Sequence, residues 1–142
     1  MKLFAYGTLR DAEFRRALFE HDYPSEPAHL RGYRIVVAET GYFSLRADPL
    51  AEICGDLIDL DARGWELADR WEEVPAYERT PVVARTDRNG EVPCIAYIRP
   101  TASTVTPPPG AFACHDRRRV LAEIAATIRA SSGSARNVPG RR

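Results

Sequence analysis

Apolar residues at the N-terminal end of the chain form first an extended run and then a helical pattern. The run over residues 1–6 predicts a buried strand, which ends on Gly7. Asp11 is a suitable N-cap for a helix, because Phe14 and Leu18 repeat at helical spacing after it. Residues 1–20 therefore predict a strand, a turn and a helix.

The middle of the chain contains breakers followed by extended patterns. The segment "HDYPSEPAHLRG" carries two prolines and a glycine and predicts an irregular connection. Two extended runs follow, "YRIVVAE" and "YFSLRAD", separated by Thr40 and Gly41. A third run, "AEICGDLIDLD", alternates from Ile53 onwards, with Gly55 inside it as a bulge or a point of close approach. These patterns predict three successive strands.

The second half predicts a short helix, a hairpin and a longer helix. Asp61 can cap a helix that runs through Trp71. In "RTPVVARTDRNGEVPCIAYIRP", Asn89 and Gly90 join two β-rich runs and favour a type I′ turn, in which both central residues have positive φ. A proline-rich connection follows Pro100, and "HDRRRVLAEIAATIRA" then predicts an amphipathic helix.

This order of elements predicts an α+β domain with mostly antiparallel strands, because successive strands lack the helical crossovers that parallel neighbours need. We expect one domain over residues 1–130. The composition from residue 131 to residue 142 is small and basic, which predicts a disordered tail.

Composition narrows the functional classes. The chain has 142 residues, 44% hydrophobic and 28% charged, and its 20 basic and 20 acidic residues cancel. Such a balance argues against nucleic-acid or membrane-surface partners and favours a small-molecule partner. No signal peptide or membrane span is evident, so we expect a cytoplasmic protein. The three cysteines have wide spacing that fits neither a disulfide framework nor a zinc site.

The first candidate for chemistry is the turn from Tyr6 to Leu9. A glycine after a buried strand lets the backbone approach a ligand, and successive turn amides can converge on a carboxylate or carbonyl oxygen. A strand-to-helix turn also uses glycine for purely structural reasons. These residues alone leave both interpretations open.

The second candidate is "DRWEEVPAYERTP", which carries Glu72, Glu73 and Glu78 just after the short helix. Carboxylates are unfavourable at the C-terminal end of a helix unless solvent or a partner compensates them. They are either solvated loop charges or a partly buried set whose pKa values suit proton transfer.

The stretches "FAYGTLR", "AEICGDLIDLD", "LADRWEEVPAYERTPV" and "IAYIRP" together resemble the gamma-glutamylcyclotransferase-like family, over residues 1 to about 100. The resemblance implies a small, mostly antiparallel β-barrel with flanking helices. It places the substrate loop at Tyr6, Gly7, Thr8 and Leu9. A family pattern like D-x-x-E-G-x-P-x-Y-x-R, begun at Asp69, places the catalytic carboxylate at Glu72.

The resemblance assigns further roles by position. Glu73 stands where glycine or another acid is usual, which leaves two glutamates as candidates. Tyr97 is implied as a further substrate-binding residue, with Tyr77, Arg79 and Glu73 in support. The implied reaction is intramolecular aminolysis of a gamma-glutamyl group to 5-oxoproline, in which Glu72 moves the proton and no cofactor or metal takes part.

The sequence leaves several functional alternatives open. The released group can be an amine or a peptide, and the role can be catabolic or a biosynthetic deprotection. A non-catalytic domain that binds a small acidic ligand is the alternative of another class. We expect a monomer or a weak homodimer.

Overall fold

The computed structural model describes the backbone of residues 1–136 and the side chains of residues 1–130. Five strands and three helices form the domain. The strands are β1 (Lys2–Ala5), β2 (Ser25–Val37), β3 (Phe43–Ile58), β4 (Glu78–Thr86) and β5 (Gly90–Ile98); the helices are α1 (Ala12–Phe19), α2 (Ala62–Trp71) and α3 (Arg117–Arg136).

The five strands close into a barrel in the order β1-β3-β2-β4-β5. Four of the strand pairs are antiparallel. The barrel closes through a short parallel pairing of β1 with β5, at Lys2 with Cys94 and Leu3 with Ile95. The predicted fold class, a small and mostly antiparallel β-barrel with flanking helices, is therefore confirmed.

β1 contributes to two separate apolar cores. Phe4 belongs to a buried cluster built mainly by the strands, whereas Leu3 and Ala5 belong to a cluster that packs strand residues against the three helices. The split follows from strand geometry, because successive side chains point to opposite faces. β1 is consequently fixed on both sides just before the chain enters Tyr6.

The predicted helix caps are present. The carboxylate of Asp11 accepts the N–H groups of Glu13 and Phe14 at 2.9 and 3.3 Å, and that of Asp61 accepts the N–H of Gly64 at 2.8 Å. The boundaries of α1 and α2 therefore follow from local capping.

The prediction of an irregular connection over "HDYPSEPAHLRG" is wrong, because most of this segment belongs to β2. Pro27 is tolerated there because β2 pairs along its length with β3 but meets β4 only at His29. Gly32, with φ of +88°, lies at a register shift between Arg31 and Tyr33.

Two further details of the strands differ from expectation. "YFSLRAD" and "AEICGDLIDLD" are parts of one continuous strand, β3. The hairpin between β4 and β5 is confirmed, but its type I′ turn is not: Gly90 has φ of +64°, whereas Asn89 is not in the positive-φ region. The loop consists of residues 87–89, and the left-handed residue is Gly90, which follows the loop and pairs with Thr86.

α3 confirms the predicted amphipathic helix, with Val120 and Ile124 buried. Its backbone continues through residues 131–136, which fall in the segment predicted as a tail. The remainder of that predicted tail, residues 137–142, lies outside the described residues. No helix within the described part of the chain is long and apolar enough to cross a membrane.

Candidate active site

A cavity of about 990 Å³ lies where the end of β1, the C-terminal end of α2 and one side of α3 come together. Most of the site residues predicted from the sequence line it. They are Tyr6, Gly7, Thr8, Leu9, Glu72, Glu73, Tyr77 and Tyr97. Arg79 is not among the lining residues.

The turn after β1 forms one wall of the cavity. Gly7 precedes a single 3-10 turn over Thr8–Arg10, whose first hydrogen bond runs from the Arg10 N–H to the Gly7 carbonyl at 3.0 Å. The N–H groups of Thr8 and Leu9 come before that bond and have no partner within the turn. The turn therefore presents backbone donors beside the cavity.

Crowding within the protein does not require a glycine at position 7. A Cβ at this position would lie 3.4 to 3.5 Å from the Phe43 side chain and the Phe112 carbonyl oxygen, which is ordinary van der Waals contact. Any crowding by a Cβ would have to come from a bound molecule.

Glu72 directly follows α2 and is the residue that caps its C-terminal end. Removal of the carboxyl from water raises its pKa to about 8, with a further contribution from the negative charge of Glu73. The residue is still partly exposed, because the cavity leads to it. A carboxyl that changes its charge near neutral pH at the wall of a cavity is suited to proton transfer.

Glu73 differs from Glu72 in both conformation and exposure. Its φ is +55°, in the left-handed region that favours glycine, and its side chain is exposed. This backbone requirement explains physically why glycine suits the position in the pattern begun at Asp69. Of the two glutamates, Glu72 has the environment that a proton-transfer residue needs.

The hydroxyl groups of the three tyrosines predicted as site residues are already used inside the protein. Tyr6 donates to the Tyr97 carbonyl at 2.5 Å, Tyr77 to the Phe43 carbonyl at 3.1 Å, and Tyr97 to the Asp69 carboxylate at 2.5 Å. Burial raises the pKa of each phenol, so each remains a neutral donor. Their hydroxyl groups are therefore committed to hydrogen bonds within the protein.

Asp69 connects α2 to the barrel. It accepts two hydrogen bonds from Arg79, at 2.9 and 2.7 Å, in addition to the one from Tyr97. The Arg79 guanidinium also lies 4.7 Å from the centre of the Trp65 ring. Burial acts to raise the pKa of Asp69, but these hydrogen bonds outweigh it and hold the pKa below its usual range. Arg79 thus acts on the cavity through Asp69.

We expect Asp69→Asn to lower the free energy of unfolding at neutral pH by about 1 to 2 kcal/mol, because an amide cannot accept both bonds of the guanidinium fork. Urea unfolding followed by circular dichroism measures the change. Asp87→Asn, which removes an exposed carboxylate from the β4–β5 loop, is the matched control. An equal effect of the two variants would contradict a special role for Asp69.

The sequence did not point to two parts of the cavity wall. Tyr42 lies in the connection between β2 and β3, and Glu123 lies on α3; the Tyr42 hydroxyl donates to the Glu123 carboxylate. The Tyr42 ring also packs edge-on against Trp71, with centroids 5.4 Å apart. Both residues lie outside the four stretches that carry the family resemblance, and 81 residues separate them, so no local pattern brings them together.

The described residues offer no group of three or more His, Cys, Asp or Glu side chains arranged to hold a metal ion. All three cysteines are free, with Cys94 buried and Cys54 and Cys114 exposed.

Comparison with known proteins identifies relatives of the whole domain. The family model described as gamma-glutamyl cyclotransferase, AIG2-like, matches residues 3–114. This match includes every predicted site residue and ends before α3. No curated protein matches the sequence significantly.

Solved structures share the fold at low sequence identity. A structure described as gamma-glutamyl cyclotransferase has a TM-score of 0.65 and 15% identity, and the match covers 88% of this chain and 78% of that one. An AIG2-like protein from Mus musculus has a TM-score of 0.62 at 16% identity, over 83% of this chain and 91% of the other. A protein from Arabidopsis thaliana has a TM-score of 0.60 at 20% identity, over 99% and 87% of the two chains.

Proposed function

The chain belongs to the gamma-glutamyl cyclotransferase, AIG2-like family, and from that premise we propose that it cyclises a gamma-glutamyl group to 5-oxoproline and releases an amine or peptide. The observation that carries the proposal is the carboxyl of Glu72, placed at the cavity wall with a pKa raised to about 8. A carboxyl whose pKa lies that close to neutral can both accept a proton from an amine and return it to a leaving nitrogen.

The substrate itself supplies both reacting groups. Its α-amine nitrogen attacks the carbonyl carbon of its own side-chain amide and closes a five-membered ring. The bond from that carbon to the leaving nitrogen then breaks. One proton passes from the α-amine to Glu72 and from Glu72 to the leaving nitrogen, so the reaction consumes no water and leaves Glu72 as it began.

The protein has two remaining tasks, which are to fold the substrate for ring closure and to stabilise the developing oxyanion. In the proposed site, backbone N–H groups between Tyr6 and Leu9 hold the α-carboxylate or the oxyanion. The rings of Tyr6 and Tyr97 contact the gamma-glutamyl carbon chain. Tyr77, Arg79 and Glu73 act in support, Arg79 through Asp69.

Incubation with a panel of gamma-glutamyl amines and dipeptides, with 5-oxoproline measured by mass spectrometry, tests the activity. We expect 5-oxoproline and the free amine in equal amounts from at least one compound. Ligand binding without any 5-oxoproline would instead favour a non-catalytic binding domain of the same fold.

The pH dependence of the reaction gives a sharper test of Glu72. As a base, Glu72 must be ionised in the free enzyme, so kcat/KM should rise with pH up to about 8. The charge of Glu73 raises the pKa of Glu72, so Glu73→Gln should move this rise to lower pH. Steady-state rates from pH 5 to pH 10 measure the displacement.

Glu78→Gln serves as the control for this profile, because Glu78 is an exposed neighbour that does not line the cavity. The substrate's own α-amine titrates in the same way with both variants, so its contribution to the pH profile of kcat/KM is an internal reference for the displacement. A profile that Glu73→Gln and Glu78→Gln leave equally unchanged would contradict Glu72 as the titrating group.

A further inference from the structure

The cavity is larger than a gamma-glutamyl group requires. Its volume of about 990 Å³ is at the upper end of the roughly 300 to 1,000 Å³ that pockets for drug-sized ligands occupy. A gamma-glutamyl group has the size of one amino-acid residue. The remaining volume is available to the leaving amine.

α3 forms part of the cavity wall. Glu123, Ala126, Thr127 and Ala130 line the cavity from α3. The small alanine side chains leave room along the helix, and Glu123 is the one charged group that the described part of α3 contributes to the lining.

The Glu123 carboxylate is held in place. It accepts a hydrogen bond from the Tyr42 hydroxyl, and Tyr42 is itself packed against Trp71, the last residue of α2. Arg119 approaches the other carboxylate oxygen at 3.4 Å, but the Arg119 side chain is 59% exposed, so solvent weakens that pair. The carboxylate therefore has a fixed position beside the residue that precedes Glu72.

The charge that acts on Tyr42 is negative on balance, because the carboxylates of Glu123 and Glu73 outnumber the one cation, Arg119. Glu73 and Glu123 both act on the Tyr42 phenol, whose pKa is raised first by burial and then by its bond to Glu123. Two other lining carboxylates are compensated, Glu66 by Arg63 and Asp69 by Arg79. Arg70 is the only cation among the described lining residues.

We propose that Glu123 is a specificity-determining residue that favours gamma-glutamyl amides whose leaving amine carries a second, cationic amino group. The inference rests on the proposed function, since it concerns the leaving group of that reaction. A terminal ammonium group next to Glu123 and Glu73 gains electrostatic energy, whereas a terminal carboxylate there is repelled. The bonds that form and break are those of the proposed ring closure, and the second amino group keeps its proton throughout.

Three substrates of equal length test this inference. They are the gamma-glutamyl amides of 1,4-diaminobutane, of n-pentylamine and of 5-aminopentanoate, which end in an ammonium, a methyl and a carboxylate group. We expect kcat/KM to decrease in that order, with about a fivefold preference for the ammonium over the methyl substrate. In Glu123→Gln the ratio of these two values should fall close to one.

Glu91→Gln is the matched control, because it removes one exposed carboxylate from β5, away from the cavity lining, and should keep the ratio. An unchanged ratio in Glu123→Gln, or an equal fall in Glu91→Gln, would overturn the inference. So would a wild-type preference for the carboxylate substrate, which would instead indicate recognition by Arg70.

Binding of the same three compounds to Glu72→Gln by titration calorimetry separates this inference from the proposed function. If no 5-oxoproline forms from any compound but the ammonium compound binds most tightly through Glu123, the proposed function fails and the selectivity stands. If the three compounds bind equally or not at all, the selectivity is wrong whatever the activity.

Discussion

Glu72→Gln is expected to reduce 5-oxoproline release by about a thousandfold, because an amide cannot accept the proton that ring closure sets free. The shape of the site should survive, since glutamine has almost the volume of a protonated glutamate. The same variant is expected to be more stable than the wild type at alkaline pH. Loss of activity combined with a gain in stability is the signature of a group held in an unfavourable environment for its function.

The direction of the stability change follows from proton linkage. The pKa of Glu72 is raised from 4.5 to about 8 in the folded protein, so between these values the folded state holds a proton that the unfolded state has lost. Wild-type stability therefore falls as pH rises through this window, while that of the glutamine variant does not. Because water reaches the carboxyl through the cavity, we expect a difference of about 2 kcal/mol above pH 8, less than the full shift would give.

Denaturant unfolding at pH 5 and at pH 9, together with initial rates on an active substrate, measures both effects. The two proteins should have similar stability at pH 5 and differ at pH 9. Glu78→Gln, an exposed control between Tyr77 and Arg79, should leave activity and the pH dependence of stability unchanged. Full activity in Glu72→Gln, with loss of activity in Glu73→Gln, would show that the catalytic carboxylate is Glu73.

The positions of the site residues could be predicted from local sequence because the site is built from two short segments at element ends. β1 ends at Ala5 and α2 ends at Trp71, so capping and periodicity place Tyr6–Leu9 and Glu72 just past element ends, and the family resemblance assigns their expected roles. The family resemblance already points to Glu72, and the structure adds a physical reason to prefer it: Glu73 has a φ of +55°, whereas the carboxyl of Glu72 is removed from water.

Long-range features could not be predicted in this way. Nothing local to Pro27 indicates that β2 has little pairing on one side there, so the segment was interpreted as a connection. Nothing local to Tyr42 indicates that Glu123 lies against it, since 81 residues separate them. The part of the cavity that carries Tyr6–Leu9 and Glu72 is therefore visible in the sequence, and the part formed by Tyr42 and Glu123 is not.

Gly55→Ala is expected to lower the free energy of unfolding by about 3 kcal/mol. A Cβ at this position would lie 2.5 Å from the Ala5 carbonyl oxygen and 2.5 Å from Cζ of the Phe4 ring. Neither neighbour can move cheaply, because Ala5 is part of the β1–β3 ladder and Phe4 is fully buried. β1 would have to shift, and it leads directly into Tyr6–Leu9, so kcat/KM should fall as well.

Gly32→Ala provides the comparison for this steric effect. Gly32 has open space around a Cβ but a φ of +88°, so alanine there should cost only about 1 to 2 kcal/mol of backbone strain. Urea unfolding ranks the two variants, and Gly55→Ala should be the less stable. The double variant Phe4→Leu/Gly55→Ala lacks the ring atom at 2.5 Å but keeps the contact with the Ala5 carbonyl. Phe4→Leu should therefore lower the free energy of unfolding less in Gly55→Ala than it does in the wild type. If Gly55→Ala were as stable as the wild type, close packing of β3 against β1 would not be what positions Tyr6–Leu9.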